Sequence, residues 1–96
     1  MNFLFLLALL NLQPGHVMAS TLTIDRADKY ERLFIDTETL PHEFYASFAT
    51  VYKINNKIVK TDEFWNQPLM GKVVQVKVVP KNGFWFALRL NLLDDK

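Results

Sequence analysis

The chain has 96 residues, which allow one domain with a modest hydrophobic core. Half of the residues are hydrophobic, and the net charge is +1, far from the strongly basic balance of a typical nucleic-acid-binding domain. The chain contains no cysteine, so disulfide-stapled scaffolds, cysteine-ligated zinc sites and thiol catalysis are excluded. The domain must therefore be stabilised by packing alone.

Residues 1–19 form an apolar leader without one charged side chain. Its apolar run is shorter than the roughly 20 residues that span a bilayer, so we expect no stable membrane span. A polar, helix-breaking segment follows, and then Val17-Met18-Ala19, as in the cleavage region of a signal peptide. We predict a signal peptide at residues 1–19, cleaved after Ala19, and a single domain at residues 20–96 that is secreted or periplasmic. The alternative is a cytoplasmic protein that starts at Met18.

The first predicted element of the domain is a short amphipathic helix at residues 24–34. Apolar side chains recur in this segment at the spacing of one helix face. These residues are Ala27, Tyr30, Leu33 and Phe34. Thr23 precedes the segment and is a candidate N-cap.

A β-hairpin is predicted over residues 44–61, because aromatic and β-branched residues dominate this segment. Asn55-Asn56 is the expected turn, since asparagine tolerates positive φ. The expected apolar face consists of Phe44, Phe48, Tyr52 and Ile54. A helix that begins at Pro41 is the alternative, because several of the same aromatic residues also fit a helical stripe. A single helical turn is expected at residues 62–65.

The clearest pattern is the alternation of residues along the last predicted hairpin, residues 72–93. A period of two predicts a strand with one buried face. The residues expected on that face are Phe84, Phe86, Leu88, Leu90 and Leu92. Trp85 falls on the opposite face and is expected to be exposed.

The register of this hairpin follows from the segment Pro80-Lys81-Asn82-Gly83. A three-residue loop at residues 81–83 pairs Val78 with Phe86 and keeps the apolar face free of polar side chains. It also places Gly83 at a left-handed position, where a residue without Cβ is unstrained. We therefore predict this loop.

These elements predict one small α+β domain, with a short N-terminal helix and a mainly antiparallel four-stranded sheet made of two hairpins. Charge is unevenly placed: residues 20–43 have six acidic and three basic side chains (net −3), whereas residues 44–93 have seven basic and two acidic ones (net +5). A basic sheet face could bind single-stranded nucleic acid. It would bear Gln75, Lys77, Trp85 and Arg89. An ordinary solvated strand face has the same composition, so we expect a protein partner rather than nucleic acid.

The segment ERLFIDTETLP, residues 31–41, has apolar residues that run into Asp36-Thr37-Glu38-Thr39. It resembles the first motif of the DEDD-type 3′-5′ exonucleases, which have a ribonuclease H-like fold, and the resemblance extends over residues 32–68. It implies that Asp36 and Glu38 lie on one strand face and bind Mg²⁺ or Mn²⁺. The later aspartates of that family are missing, so the resemblance implies a truncated, inactive relative, cytoplasmic from Met18.

The sequence favours a small exported binding protein without enzymatic activity or a cofactor. We predict that it contacts a protein partner through a sheet edge or an aromatic surface, and a homodimer through a sheet edge is a further possibility. The candidate binding residues are Tyr45, Trp65, Trp85 and Arg89. Core packing is the alternative role of Trp65. The alternative function is the inactive exonuclease-like fragment, with a partial metal site at Asp36 and Glu38.

Overall fold

The computed structural model describes residues 16–94, so residues 1–15 of the predicted leader lie outside the described residues. Eight strands and one short helix follow one another along this part of the chain. The strands are β1 Met18–Thr23, β2 Arg26–Asp28, β3 Leu33–Ile35, β4 Glu43–Tyr45, β5 Val51–Ile54, β6 Lys57–Val59, β7 Val73–Lys81 and β8 Phe84–Leu93. The helix is α1, Thr61–Trp65, between β6 and β7.

All eight strands belong to one mixed sheet with the order β1-β7-β8-β4-β3-β2, and β5 pairs with both β6 and β8. Most pairs are antiparallel, but β4 and β5 both run parallel to β8. The two end strands of this order, β1 and β2, are consecutive in the chain. The backbone N–H of Ile24 donates to Lys72 on one side, and that of Asp25 donates to Ile35 on the other. The segment that joins β1 to β2 is therefore hydrogen-bonded to both ends of the sheet, which must be strongly curved.

The predicted fold class is wrong: the described residues are 52% strand and 6% helix, and no N-terminal helix or four-stranded antiparallel sheet is present among them. The segment predicted as a helix, residues 24–34, instead forms β2, a turn and β3. Asp28 makes this turn, because its Oδ1 accepts hydrogen bonds from the backbone N–H groups of Tyr30 and Glu31. Tyr30, expected on the buried face, is 95% exposed.

The hairpin predicted over residues 44–61 is present only in its second half. Its turn at Asn55-Asn56 is confirmed, and both residues have positive φ. The first half is interrupted, because β4 ends at Tyr45 and a loop precedes β5. Phe48 lies in that loop and is 77% exposed instead of buried.

The helical turn predicted at residues 62–65 is confirmed as α1. Its Phe64 and Trp65 are buried in the hydrophobic core, where burial of such side chains contributes about 2 to 3 kcal/mol each. The ring of Trp65 packs on Phe34 with centroids 4.8 Å apart, and Phe34 stacks on Phe44 at 5.0 Å. The Trp65 indole N–H donates to the hydroxyl of Tyr52 at 3.3 Å. The aromatic core thus joins α1 to three strands.

The hairpin of β7 and β8 is present, but its predicted register is wrong. The loop has two residues, Asn82 and Gly83, with φ of 54° and 83°. Two consecutive positive φ values define the tight turn that suits hairpin twist, so Lys81 pairs with Phe84. The register then shifts between Lys77 and Val78, where β8 has one extra residue, Leu88.

This bulge reverses the alternation of buried and exposed residues along β8. Leu90 and Leu92 are fully buried, as predicted, but on the other side of the bulge the buried residue is Ala87. The expected core residues Phe84 and Leu88 are 61% and 39% exposed, and Phe86 is only half-buried. Trp85, expected to be exposed, is half-buried and packs against the core.

Candidate binding face

One side of the sheet faces the core and the other faces solvent. Along β7 the two alternate, so that Val74, Val76 and Val78 are buried whereas Gln75 and Lys77 are exposed. Residues that are paired in register lie on the same side of a sheet. We call the solvent side the outer face. It consists of residues 19 and 21 of β1, 75, 77, 79 and 81 of β7, 84, 86, 89 and 91 of β8, 45 of β4, and 51 and 53 of β5.

A depression of about 330 Å³ lies on this outer face, and we call it the basic basin. It is open to solvent and is bordered by β1, β5, β7 and β8. Its charged side chains are all cationic, and its other long polar side chains are amides. These residues are Lys53, Lys77 and Arg89 with Asn56, Gln75 and Asn91. These lining residues give the basin a positive potential, because no acidic side chain of residues 16–94 is among them.

Two of the three cations are direct neighbours. Lys77 of β7 pairs in register with Arg89 of β8, and Arg89 pairs on its other side with Val51 of β5. Lys53, two residues further along β5, pairs with Asn91. Like charges directly opposite on adjacent strands destabilise a sheet. Within residues 16–94 the one salt bridge joins Lys72 to Asp94, so no acidic side chain of this part of the chain forms a salt bridge with the three basin cations.

A hydrogen-bonded group of amides forms the floor of the basic basin. Asn91 is 5% exposed, and its Nδ2 donates to Gln75 Oε1 and to Asn56 Oδ1, both at 2.9 Å. Its Oδ1 accepts a hydrogen bond from the backbone N–H of Asn56 at 2.9 Å. Asn91 thereby fixes the β5–β6 turn against β8, and this contact holds Lys53 beside the other cations.

Aromatic side chains continue the outer face on the other side of the β8 bulge. Phe84 contacts Tyr45 edge to face, with ring centroids 5.6 Å apart. The Lys81 ammonium lies 4.9 Å from the ring centroid of Phe86, within the range of a cation–π contact. The outer face thus has a basic half and an aromatic half, both presented by β7 and β8.

The four predicted binding residues are divided between the two sides of the sheet. Arg89 and Tyr45 lie on the outer face, at its basic and aromatic halves. Trp65 is 6% exposed and belongs to the core, and Trp85 faces the core because of the bulge. Neither tryptophan offers the exposed ring that the predicted aromatic surface requires.

Sequence reasoning missed Lys53 and Phe84 as members of the outer face, whereas Asn91 was expected on the same strand face as Arg89. Lys53 depends on the parallel pairing of β5 with β8, for which no local signal exists. Phe84 could have been found, because Asn-Gly is the strongest short signal for a two-residue turn. Such a turn places Phe84 beside Lys81.

The predicted metal ligands lie after β3 rather than on a strand. Asp36 is 5% exposed and its Oδ1 accepts a hydrogen bond from the backbone N–H of Glu38 at 2.9 Å. Its Oδ2 is buried and has no hydrogen bond of good geometry, and Glu38 itself is exposed. Burial raises the pKa of Asp36, but the N–H of Glu38 and the nearby hydroxyl and amide dipoles of Thr39 and Thr23 outweigh it, so the pKa lies below its ordinary value.

Oδ1 of Asp36 accepts a hydrogen bond, Oδ2 is buried and Glu38 is exposed, so the two carboxylates alone offer few of the oxygen ligands that Mg²⁺ or Mn²⁺ takes. Across residues 16–94 no three acidic or histidine side chains lie together as a metal group. Binding of either ion at Asp36 and Glu38 stays a prediction of the exonuclease resemblance. Calorimetric titration of Mn²⁺ into the wild type and into Asp36→Ala/Glu38→Ala tests it, and equal heats would remove the site.

No helix within residues 16–94 combines the length and apolarity that a membrane crossing requires. No protein-family model matches the chain, and no curated protein or solved structure is significantly similar to it.

Proposed function

We propose that this protein is a non-enzymatic binding protein, exported by its leader, that binds an anionic partner through the outer face of its sheet. The observation that supports this proposal most is the convergence of Lys53, Lys77 and Arg89 in the basic basin, where the described lining residues include no acid. Juxtaposed cations cost stability, and a bound anion would offset that cost.

A sheet edge is a less suitable binding surface than the outer face. β6 pairs only with β5, so its other edge carries unpaired backbone groups. It has three residues, begins at Lys57 and is followed by Lys60. Short, lysine-bearing edges disfavour the addition of another strand. A homodimer through this edge stays a prediction, which sedimentation of the purified protein would test.

The proposed export depends on cleavage of the leader after Ala19. Cleavage after Ala19 would shorten β1 by its first two residues, Met18 and Ala19, and leave four register pairs with β7. The N-terminal sequence of the protein isolated from its native cells tests this part. A start at Ser20 supports export, whereas a start at Met1 or Met18 contradicts it.

Binding to a polyanion at low ionic strength tests the proposed function. We would titrate the protein with two probes, poly-L-glutamate and a thymidine oligonucleotide, and measure affinity by fluorescence anisotropy. We expect at least one probe to bind. The variant Lys53→Gln/Lys77→Gln/Arg89→Gln should lose at least tenfold in affinity, since contacts to charged groups contribute about 1.5 to 3 kcal/mol each.

The matched control removes one arginine and two lysines that are exposed outside the basic basin: Arg26→Gln/Lys29→Gln/Lys60→Gln. It has the same net charge as the basin variant and should keep its affinity within about twofold of the wild type, allowing for long-range screening. If neither probe binds, or if the two triple variants weaken binding equally, the proposed function is wrong.

A further inference from the structure

We propose that the anionic partner of the outer face is a single-stranded nucleic acid. This inference rests on the proposed function, adds the chemical class of the partner and departs from the protein partner that the sequence favours. Binding of a single strand uses two features side by side: cations that contact phosphates and exposed aromatic rings on which bases stack. Both are present on β7 and β8.

Cations lie in both halves of the outer face: three line the basic basin, and Lys81 lies in the aromatic half. Lys81 lies at the turn end of β7, Lys77 and Arg89 face each other beyond the bulge, and Lys53 follows on β5. From residue 84 to residue 91 of β8 an extended strand covers about 23 Å. The backbone of a polynucleotide that runs along β8 would bring its phosphates close first to Lys81, then to Lys77 and Arg89, and then to Lys53.

The aromatic half of the outer face supplies stacking surface. Phe84 is 61% exposed, and Tyr45 supports it edge to face at 5.6 Å, so the ring of Phe84 is fixed in position and open to solvent. Every nucleobase has a π face that can stack on such a ring. An acidic polypeptide would pair with the cations equally well but would stack on Phe84 only where it carries an aromatic side chain, whereas a polynucleotide offers a stacking face at every residue. The combination therefore favours a polynucleotide over an acidic protein.

Single strands suit this surface better than a duplex. The basic basin is an open depression, through which a flexible chain can pass. In a double helix the bases are stacked on one another, so that their faces cannot reach Phe84 without unpairing. The outer face suits a single strand, whose phosphates can contact the basic half while its unpaired bases stack on the aromatic half.

The first experiment compares four probes on the complete protein: a thymidine oligonucleotide, its uridine counterpart, a DNA duplex and poly-L-glutamate. We expect the single strands to bind at least tenfold more tightly than the other two at equal salt. For single strands, each neutralised phosphate changes the slope of log K against log salt by about 0.7. Lys53→Gln/Lys77→Gln/Arg89→Gln should therefore reduce the slope by about 2, and the control triple variant should leave it unchanged.

The second experiment tests stacking. Phe84→Leu should weaken oligonucleotide binding by about tenfold, whereas Phe84→Trp should keep or improve it, because only the ring stacks. Tyr30→Leu is the matched control, since Tyr30 is 95% exposed in the β2–β3 turn and outside the outer face. Circular dichroism of each variant checks that the sheet is intact.

The outcomes separate this inference from the proposed function. Tighter binding of poly-L-glutamate than of single strands, lost in the basin variant, would keep the function and overturn the nucleic-acid inference. Equal affinity of Phe84→Leu and wild type for the oligonucleotide would also overturn it. Absence of binding to every probe would contradict both.

Discussion

Asn91 shows how a single buried amide can shape a surface. Its two amide N–H groups and its carbonyl oxygen are all used, by Gln75 and by both the side chain and backbone of Asn56. The pair Asn56 and Asn91 exchanges hydrogen bonds in both directions, which fixes the orientation of both amides. The floor of the basic basin is therefore rigid before any ligand arrives.

We predict that Asn91→Ala lowers the free energy of unfolding by about 2 kcal/mol, because it leaves the backbone N–H of Asn56 and the Gln75 amide without their partner. Urea denaturation measures the change. Gln75→Ala is the control, and it should cost less than about 1 kcal/mol, since Gln75 is exposed and makes one of these bonds. Equal losses in the two variants would show that the network does not depend on Asn91.

Asp36 is the residue whose titration should affect stability. Its folded pKa is below the ordinary value of 3.8, so ionised Asp36 stabilises the fold above that pH. This contribution is lost as the pH falls through the folded pKa. We predict that Asp36→Asn costs about 1 kcal/mol at neutral pH and that the difference from wild type disappears in strong acid.

Thermal unfolding across the acid range measures this dependence. Glu38→Gln is the matched control, because the Glu38 side chain is exposed and we expect its removal to leave the unfolding temperature unchanged at neutral pH. A constant difference between Asp36→Asn and wild type at every pH would contradict the assigned role of the charge.

Among the strands and turns, the two turns that contain asparagine belong to the part of the fold that the sequence predicts. Asn55-Asn56 and Asn82-Gly83 both adopt positive φ, and both hairpins were expected at these positions. The strand of Leu90 and Leu92 and the helix α1 were also predictable from local patterns. The helix expected at residues 24–34 failed because the turn made by Asp28 overrides a short apolar periodicity.

The bulge at Leu88 marks the limit of sequence reasoning for the site. Residues that face the core and residues of the outer face alternate on each side of the bulge. Because of the single extra residue, the even-numbered positions face the core after the bulge, whereas the buried position before it is the odd-numbered Ala87. Arg89 was predicted as a binding residue and lies on the outer face. Trp85 was assigned to the wrong side for this reason, and Phe84 was hidden in the expected core.

The turn at Asn82-Gly83 is expected to control this hairpin. Gly83 has φ of 83° and no atom within 4 Å of an added Cβ, so Gly83→Ala introduces backbone strain without a clash. We predict a loss of about 1 to 2 kcal/mol in the free energy of unfolding. Guanidinium denaturation measures it, with Asn66→Ala as a control at an exposed position of ordinary backbone conformation. No loss in Gly83→Ala would contradict the two-residue turn.

At the scale of the whole molecule, charge is arranged in a way that costs stability. The part of the chain that forms β5 to β8 has the net positive charge, and its Lys77 and Arg89 face each other with no salt-bridge partner among residues 16–94. A protein optimised only for stability would place an acid opposite one of them. The sheet thus carries a repulsion that a bound anion would relieve.

We predict that Lys77→Gln makes the free protein more stable, by roughly 0.3 kcal/mol at low salt, while it weakens polyanion binding. The opposite signs distinguish a binding role from a structural one. Denaturation in low and high salt measures the first effect, which added salt should reduce. Lower stability of Lys77→Gln would contradict the proposed repulsion.

The most direct test of the outer face as the binding site is residue-by-residue mapping of the bound state. We would record ¹H–¹⁵N correlation spectra of the protein while adding a thymidine oligonucleotide. The predicted result is that amide shifts concentrate at Lys53, Lys77, Phe84, Arg89 and Asn91 and are small in β2 and in the β2–β3 turn. Shifts confined to β2, β3 and the Asp36 loop, with the outer face unchanged, would contradict the account.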